Sequence, residues 1–432
     1  MMAEHPEGLA VGDEVEVDVT AFAHGGHSIA RADGQVLFVR HTLPGERVRA
    51  RVTETGSGGR FVRADAVEVL DASPDRVVPP CPWSGPGRCG GCDLQHVALE
   101  AQRRLKAGVV REQMSRLAGL EVDVDVEPVP GDDGGLDWRT RVEFAVDAEG
   151  RAGLRRHRSH EVVPVDHCRI AAPGVDALRV TERTWPGAEL VDVVAPSVGA
   201  PVAVEVPGGP VPDVLERVEV PAADGRPGFV HDFSVSARGF WQVHPGAPAT
   251  FLTAVLDGLR VRPGERALDL YCGVGLFAAA LSEAVGPDGQ VVAVEADRDA
   301  VARATEGLGA AGNVAVVGAR VDDAFGLART DRRRGAARGR GRRPARSPLL
   351  PQRADVVVLD PPRTGAGPAV VGAVADLAPR AVAYVACDPA ALARDTAALL
   401  ARGYRLVSLR AFDAFPMTHH VECVAIFEPA TA

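Results

Sequence analysis

The sequence is short of several features, and each shortage narrows what the chain can be. It has one lysine, Lys106, among 48 basic residues, so arginine carries nearly all of its positive charge. This bias is typical of coding composition and predicts no function. No stretch of 18 or more apolar residues occurs, and the acidic start lacks the layout of a signal peptide. We therefore expect a cytoplasmic protein with no membrane partner.

Cysteine is also scarce, with seven in 432 residues. Thiols in a reducing compartment do not form a disulfide framework, so these need metal, catalytic or packing roles. The net charge of −10 argues against a wholly basic surface for nucleic acid. Residues 332–346 are the exception, with eight arginines and no acid. Phosphate contacts and an idle loop are both compatible with this run; the salt dependence of RNA binding after deletion of 331–350 separates them.

Hydrophobic patterning divides the chain into three domains. Residues 9–70 alternate polar and apolar positions between Gly, Pro and Asp breaks, which predicts a small antiparallel barrel. Residues 75–240 predict a β-rich central domain, with a helical run at 94–118 that could pack back onto the last domain. Strands alternate with alanine-rich helices over 241–432, which predicts a doubly wound α/β sheet. Low complexity predicts a disordered insertion at about 329–353.

A glycine turn follows the first strand of the predicted sheet, in ALDLYCGVGLF. Gly273 and Gly275 let the backbone turn sharply and approach a ligand closely. Glu295 ends the next strand, where a carboxylate can accept both hydroxyls of a ribose. The third glycine of the phosphate-binding pattern is missing, which favours S-adenosylmethionine over a dinucleotide. A tight turn beside a solvated Glu295 is the alternative.

The motif DPPRTG closes a later strand and begins with Asp360. Ligands of open α/β sheets bind at the carboxyl ends of the strands, which is where Asp360 is expected. Two prolines remove backbone donors and stiffen the turn. Alone, the motif could be a simple strand exit; beside the glycine turn, it predicts a site residue.

Cys387 follows the apolar run AVAYVA, and Glu422 lies on a late strand. A buried thiol is usually a small hydrophobe, and for Cys387 alone that interpretation is favoured. A thiolate, a carboxylate and a methyl donor at one sheet edge, however, suit methylation of uracil at C5. Thiolate addition at C6 activates C5, and a base must then remove the C5 proton so that the thiol can leave. We therefore predict Cys387 as the nucleophile and Glu422 as the base.

Four cysteines remain as candidate metal ligands: Cys81, Cys89, Cys92 and Cys168. Four thiolates can bind Zn²⁺ or an iron–sulfur cluster. Structural zinc typically takes two CxxC turns and only one is present, so three clustered cysteines and a remote one favour a cluster. Zinc and the absence of a metal stay open. We assign packing roles to Cys272 and Cys423.

Six motifs together resemble the RNA 5-methyluridine methyltransferase family: CGGCDLQH (89–96), FWQVHPGA (240–247), LDLYCGVG (268–275), DPPRTG (360–365), ACDPAAL (386–392) and FPMTHHVE (415–422). The resemblance implies a class I S-adenosylmethionine-dependent methyltransferase domain behind an OB-like TRAM barrel. It implies Cys387 as nucleophile, Glu422 as proton acceptor and a [4Fe–4S] cluster on the four cysteines. It also implies contacts to cofactor or uracil from Gln242, Tyr271, Glu295 and Asp360.

One position departs from the family pattern, because many members carry asparagine where Leu276 stands. Leu276 cannot make that polar contact, so we expect a remodelled cofactor pocket. Phe240 or Trp241 could stack on the target base or could equally be core residues.

The substrate implied by the resemblance is structured RNA, ribosomal RNA being favoured over transfer RNA. The target base must be flipped out of its stack, so affinity has to come from elsewhere. The barrel supplies arginines for it: Arg31, Arg40, Arg47, Arg49, Arg51, Arg60 and Arg63. We expect a monomer. The alternatives are an amino methyltransferase acting on adenine or guanine and an iron–sulfur RNA-binding protein without activity.

Overall fold

The computed structural model describes residues 8–32, 34–56, 61–223, 226–327 and 345–430. The arginine-rich run at 332–346 lies outside these ranges except for its last two residues. Within the described part of the chain, no helix is both long and apolar enough to cross a bilayer.

Five strands close the N-terminal barrel in the order β1-β2-β3-β5-β4: β1 (Glu14–Ala23), β2 (His27–Ala32), β3 (Gln35–Arg40), β4 (Arg47–Thr55) and β5 (Val62–Asp71). Alternate side chains point inward, and Leu37, Val39 and Val48 are fully buried there. The closed barrel and the α/β domain predicted from the sequence are both confirmed, although the barrel is not wholly antiparallel, because β3 and β5 pair in parallel.

The basic character expected of the barrel is largely balanced by its own acids. Ion pairs across the barrel surface join Arg47 to Glu16, Arg49 to Glu68, Arg51 to Glu14 and Arg63 to Glu54. Opposite charges on neighbouring strands stabilise the pairing of those strands. The net positive field that seven arginines suggested is therefore weaker than their number implies.

A five-stranded central sheet runs in the order β11-β10-β7-β8-β9: β7 (Arg141–Val146), β8 (Ala152–Arg155), β9 (Val162–Val163), β10 (Leu190–Val194) and β11 (Val202–Val206). One short helix, α2 (Pro173–Asp176), packs on it, and Trp185 and Phe144 fill its core. A separate hairpin follows, of β12 (Asp213–Val220) and β13 (Phe229–Ser236).

The large sheet has eight strands in the order β16-β15-β14-β17-β18-β20-β19-β6: β6 (Val126–Pro128), β14 (Arg266–Leu270), β15 (Gln290–Glu295), β16 (Val314–Gly318), β17 (Val356–Leu359), β18 (Ala381–Ala386), β19 (Tyr404–Asp413) and β20 (Glu422–Pro429). Its helices are α1 (Leu99–Gln113), α3 (Ala247–Leu259), α4 (Leu276–Val285), α5 (Arg298–Leu308), α6 (Val321–Ala324), α7 (Pro368–Asp376) and α8 (Pro389–Leu400). Neighbouring positions such as Ala267 and Leu268 face opposite apolar cores, as expected of a sheet covered on both sides.

Three segments that precede residue 241 pack with the large sheet: helix α1, from the helical run that was expected to pack back onto the last domain, strand β6 and the hairpin β12–β13. Helix α1 packs in the same core as α8, and β6 pairs with β19 as the last strand of the large sheet. The hairpin β12–β13 buries Phe229 and Phe233 against the core of α3 and α4. These segments carry apolar faces that the central sheet does not cover.

The prediction of a disordered insertion at about 329–353 is wrong at its C-terminal end. Residues 328–344 lie outside the described ranges, but the chain from residue 345 is described. Leu350 is buried in the core of the large sheet, and Arg346 donates to the carbonyls of Leu350 and Pro351. One apolar side chain thus anchors a segment whose composition predicted disorder.

The single lysine is completely buried between α1 and the end of β19. Lys106 Nζ donates to Asp413 Oδ1 at 2.5 Å and to the carbonyl of Phe415 at 3.1 Å. Arg103 approaches the other carboxylate oxygen at 3.5 Å. A buried ammonium is tolerated only when paired, so this contact holds the chain that leads from Asp413 to Glu422.

Replacing Lys106 with alanine should lower the free energy of unfolding by roughly 3 kcal/mol, because it leaves the Asp413 charge buried with only Arg103 beside it. Denaturant titration measures the change. Arg104→Ala, which removes an exposed ion pair on the same helix, should cost under about 1 kcal/mol. The double variant Lys106→Met, Asp413→Leu should recover most of the stability lost in Lys106→Ala. Equal losses of stability in Lys106→Ala and Arg104→Ala would contradict the role of burial.

Candidate active site

The predicted site residues converge on one edge of the large sheet. Strands β14, β17 and β18 run parallel, so their carboxyl ends meet, with Leu270 beside Leu359 and Leu359 beside Tyr384. Strand β20 runs antiparallel to β18, with Cys423 opposite Ala386. Its first residue, Glu422, is therefore brought to the edge where Cys387 and Asp360 end their strands.

The glycine turn has the conformation that its sequence predicts. Gly273 and Gly275 have φ of +55° and +97°, values that favour glycine. A Cβ on Gly275 would lie 2.7 Å from Leu308 Cδ1, so the end of the Leu308 side chain would have to move to admit another residue. Tyr271 shares the left-handed region at φ +66°, and its backbone N–H donates to the carbonyl of Val294.

Glu295 faces this turn and is held by backbone donors. Its Oε2 accepts from Gly273 N at 3.0 Å, and its Oε1 accepts from Ala296 N and Asp297 N at 2.6 and 2.8 Å. The carboxylate is thereby fixed beside the turn, with lone pairs left to accept hydroxyl groups. This geometry fits the expected role at a ribose.

Asp269 is a buried site residue that sequence reasoning missed. Its Oδ2 accepts from Ala278 N at 2.8 Å, while its Oδ1 is buried without a partner. Burial, together with the charges of Asp360 and Glu295, raises the pKa of Asp269 to about 8. The available signal was a carboxylate in the middle of an apolar strand, which is costly to bury without a function.

Asp360 and Glu422 form a coupled pair of carboxyl groups. Burial raises the pKa of Asp360 to about 7. Burial, and then the charge of Asp360, raise the pKa of Glu422 well above its ordinary value, while Arg363 opposes the shift. The charge of one of these buried carboxylates therefore disfavours ionisation of the other.

Cys387 is half-buried beside this pair. Desolvation, and then the charge of Glu422, raise its pKa to about 11, while the Arg363 guanidinium opposes that rise. The thiol is therefore protonated in the free protein at neutral pH, and a nearby base is required to activate it. The position is consistent with a nucleophile, but the thiol is not already activated.

Arg363 lies near the thiol and contacts a pair of neighbouring histidines. Arg363 donates from Nη2 to His420 Nε2 at 3.3 Å, so His420 is neutral, and burial lowers its pKa to about 3. The His419 and His420 rings are in contact, with centroids 4.0 Å apart and planes tilted by 44°, and His419 Nδ1 lies 2.6 Å from Asp93 Oδ2. Both histidines therefore hold the segment before Glu422 in place.

The remaining positions taken from the family resemblance fall into three groups. Gln242 is buried, in the segment whose His244 ring stacks on Trp138, next to Phe415. Leu276 is buried as the first residue of α4, so it packs in the core and does not line a polar pocket. Other side chains separate by exposure: Trp241 packs on Phe233, while Phe240 is 75% exposed.

The four candidate metal ligands line one cavity between the cysteine-rich loop and the central sheet. Cys81, Cys89, Cys92 and Cys168 all border it, and its volume is about 70 Å³. A single water-sized occupant needs only about 10–15 Å³. Within the described ranges, no three Cys, His, Asp or Glu side chains are close enough to hold one metal ion. The four thiols thus share one cavity without the spacing of a single-metal site.

Two family models match the chain. The model described as tRNA (Uracil-5-)-methyltransferase matches residues 238–429, and that of the TRAM domain matches residues 9–67. The first covers all strands of the large sheet except β6 and every predicted catalytic and cofactor residue, and the second covers the strands of the barrel up to most of β5.

Similar proteins extend over nearly the whole chain. An RNA methyltransferase of Streptomyces coelicolor is 50% identical over 97% of this chain and 94% of its own length. The 23S rRNA (uracil(1939)-C(5))-methyltransferase of Alkalilimnicola ehrlichii is 33% identical over 96% of both chains. The crystal structure of Pyrococcus abyssi tRNA (uracil-54, C5)-methyltransferase with S-adenosyl-L-homocysteine shares the fold, with a TM-score of 0.62 and 20% identity over 95% of this chain and 99% of that one.

The pKa of Cys387 predicts how its reactivity depends on pH. Because only the thiolate reacts, the rate at which iodoacetamide alkylates Cys387 should increase with pH, with the midpoint of the increase near pH 11. Arg363→Met should move the midpoint higher, because it removes the cation that opposes the shift. Mass spectrometry of the Cys387 peptide follows the rate, and a plateau reached below about pH 9 would contradict the burial described here.

Proposed function

The chain belongs to the RNA (uracil-5-)-methyltransferase family, and from this premise we propose that it methylates one uridine of 23S ribosomal RNA through a covalent bond between Cys387 and C6 of the base. It is an S-adenosylmethionine-dependent RNA (uracil-C5)-methyltransferase. The observation that carries the covalent step is the meeting of Cys387, Glu422 and the glycine turn at one sheet edge.

Residues around the glycine turn would hold the cofactor. Glu295 would accept the ribose hydroxyls, with Gly273 and Gly275 allowing close approach and Tyr271 beside them. S-adenosylmethionine supplies an electrophilic methyl group when bound. Asp269 Oδ2 accepts from Ala278 N in the helix that follows the turn, while its buried Oδ1 has no hydrogen-bond partner.

The chemistry proposed for the chain's own residues begins at the thiol. Cys387 loses its proton to a neighbouring base, and its sulfur adds to C6 of the flipped uracil, which makes C5 nucleophilic. After C5 has gained the methyl group, Glu422 removes the C5 proton and the bond between sulfur and C6 breaks. A carboxylate whose pKa lies well above its ordinary value is a stronger base, which suits this transfer near neutral pH.

Arg363 would assist both ends of this cycle. Its guanidinium lowers the pKa of Cys387 and of Glu422 relative to burial alone. It is exposed toward solvent and therefore accessible to an RNA substrate. Gln242, buried in the neighbouring segment, is our candidate for a contact to the base or the cofactor.

The choice of 23S rRNA rests on the relatives that cover the whole chain. Two of them, from Alkalilimnicola ehrlichii and Pseudomonas fluorescens, are named as methyltransferases of 23S rRNA and are 33% and 32% identical. The tRNA enzyme from Pyrococcus abyssi shares only 20% of its residues and supports the fold alone. An amino methyltransferase of purines is disfavoured, because its chemistry requires neither Cys387 nor Glu422.

The covalent step predicts opposite behaviour for two variants. RNA containing 5-fluorouridine should trap an adduct with the native enzyme and none with Cys387→Ala, because fluorine at C5 cannot leave as a proton. Glu422→Gln should accumulate an adduct with ordinary RNA, because the C5 proton then stays in place. Denaturing gels detect the adduct. Methyl transfer by Cys387→Ala at the native rate would exclude the mechanism.

We also propose that the four thiols hold a [4Fe–4S] cluster. The support is that all four thiols border one cavity of about 70 Å³ and that four thiolates are the usual ligands of such a cluster. The cluster would supply structural bracing between the cysteine-rich loop and β7–β8. No step of the reaction depends on it.

Anaerobically purified protein should then contain about four irons and four acid-labile sulfides per chain. Cys89→Ala should lose most of both, whereas Cys272→Ala, which changes a thiol outside the cavity, should keep them. Elemental and sulfide analysis measure the content. One zinc per chain without sulfide would replace the cluster with the zinc alternative.

A further inference from the structure

The first turn of the barrel reaches the two catalytic segments of the large domain. This turn joins β1 to β2 and has the sequence His24-Gly25-Gly26-His27. It touches the residue that follows Cys387 and the segment that precedes Glu422. The proposed function gives the barrel no part in the chemistry, so these contacts are unexplained by it.

The first contact is a hydrogen-bonded ion pair. His24 donates from Nε2 to Asp388 Oδ2 at 3.0 Å. The other oxygen of Asp388 accepts from Ala391 N at 2.7 Å and so caps helix α8. Asp388 is bonded directly to Cys387, so one carboxylate links the barrel, the helix and the nucleophile.

The second contact is a close approach of backbone to side chains. Gly26 has φ +80°, and a Cβ there would lie 3.0 Å from His419 and 3.1 Å from Asp93 Cγ. His419 stands three residues before Glu422 and is itself bound to Asp93. Arg40, on the barrel strand β3, donates to the other oxygen of Asp93 at 3.3 Å. The turn is therefore seated against the base segment as well.

A purely stabilising role is a weak explanation for the His24–Asp388 pair. The two side chains are 39% and 21% exposed, and exposed pairs contribute little to the free energy of folding. The effect of the pair on geometry is larger, because it restrains the residue next to the attacking sulfur. Displacement of a reacting group by about 1 Å can slow an enzyme about a hundredfold.

We propose that His24 is a positioning residue for Cys387, so that the barrel completes the active site and does more than bind RNA. The inference rests on the proposed role of Cys387. Through Asp388, His24 holds the turn between β18 and α8, while Gly26 lets the same barrel turn rest on His419. The barrel thus restrains the strand ends that carry the nucleophile and the base.

The pair also makes a distinct prediction for pH. Its hydrogen bond to Asp388 raises the pKa of His24 above 6.5, against the opposing effect of burial. Arg394 and Glu112 are the other charged groups facing the ring. The charged form is therefore complete below pH 6.5 and is lost as the pH rises through the elevated pKa. The advantage of the native enzyme over His24→Ala should shrink over that rise.

A double-mutant cycle tests the proposal. His24→Ala should slow single-turnover methyl transfer about tenfold, with RNA and S-adenosylmethionine affinities changed less than about twofold. Asp388→Asn keeps the helix cap, because asparagine caps as well as aspartate. In that background, adding His24→Ala should change the rate less than about twofold. His160→Ala, an exposed histidine elsewhere, should leave the rate unchanged.

Either of two results would overturn it: an equal loss from His24→Ala in both backgrounds, or a loss of RNA affinity alone. Hydrogen exchange on the free protein gives a readout that does not need RNA. The peptide spanning 386–392 should exchange faster in His24→Ala, while that spanning 268–275 should not change. Unchanged exchange in both refutes the positioning role. Failure of the native enzyme to form the 5-fluorouridine adduct would refute the proposed mechanism instead.

Discussion

Desolvated negative charge at one edge of the sheet is the constraint on which the site depends. Asp269, Asp360 and Glu422 are carboxyl groups brought together with the Cys387 thiol. Beyond the effect of burial, the charge of Asp360 raises the pKa of Asp269 and of Glu422, and the charge of Glu422 raises that of Cys387. Ionisation of Asp360 therefore makes ionisation of Asp269 and of Glu422 less favourable. A site of this kind is suited to moving protons between neighbours, and folding has to offset the unfavourable burial.

The surroundings supply that compensation in a directional way. Backbone N–H groups donate to both oxygens of Glu295 and to one oxygen of Asp269. The Arg363 guanidinium places a positive charge near the thiol and the base. The neutral ring of His420 accepts from that guanidinium and keeps it in place. Farther out, the Lys106–Asp413 pair anchors the chain that enters the site. Polar contacts thus hold an otherwise unfavourable cluster of acids.

Much of the fold and of the site could be predicted from the sequence, because hydrophobic periodicity and turn-forming residues are local signals. The alternation over 9–70 and the strands of the large sheet were readable, and so was the meeting of Glu295, Asp360 and Cys387, since parallel strands share one carboxyl edge. Glu422 was predicted as the base from its chemistry and its place on a late strand, but the antiparallel direction of β20, which brings it to this edge, was not predicted.

The parts that failed depend on contacts distant in sequence. No local sequence pattern indicated that β6 would pair with β19, or that Leu350 would be buried in a core just after an arginine-rich run. The balancing of barrel arginines by glutamates depends on strand register, which pattern alone leaves open. The contact between His24 and Asp388 joins residues 364 positions apart, and no motif contains both.

The solitary lysine has a practical consequence beyond stability. Because Lys106 is the only lysine in the chain and its side chain is wholly enclosed, the folded protein presents no side-chain amine to its surroundings. Cross-linkers and dyes that react with amines, acetyl donors and isopeptide tags on lysine all lack a side-chain target until the fold opens. The rate at which Lys106 becomes labelled would therefore report unfolding of the core around the Lys106–Asp413 pair, from which the chain leads to Glu422.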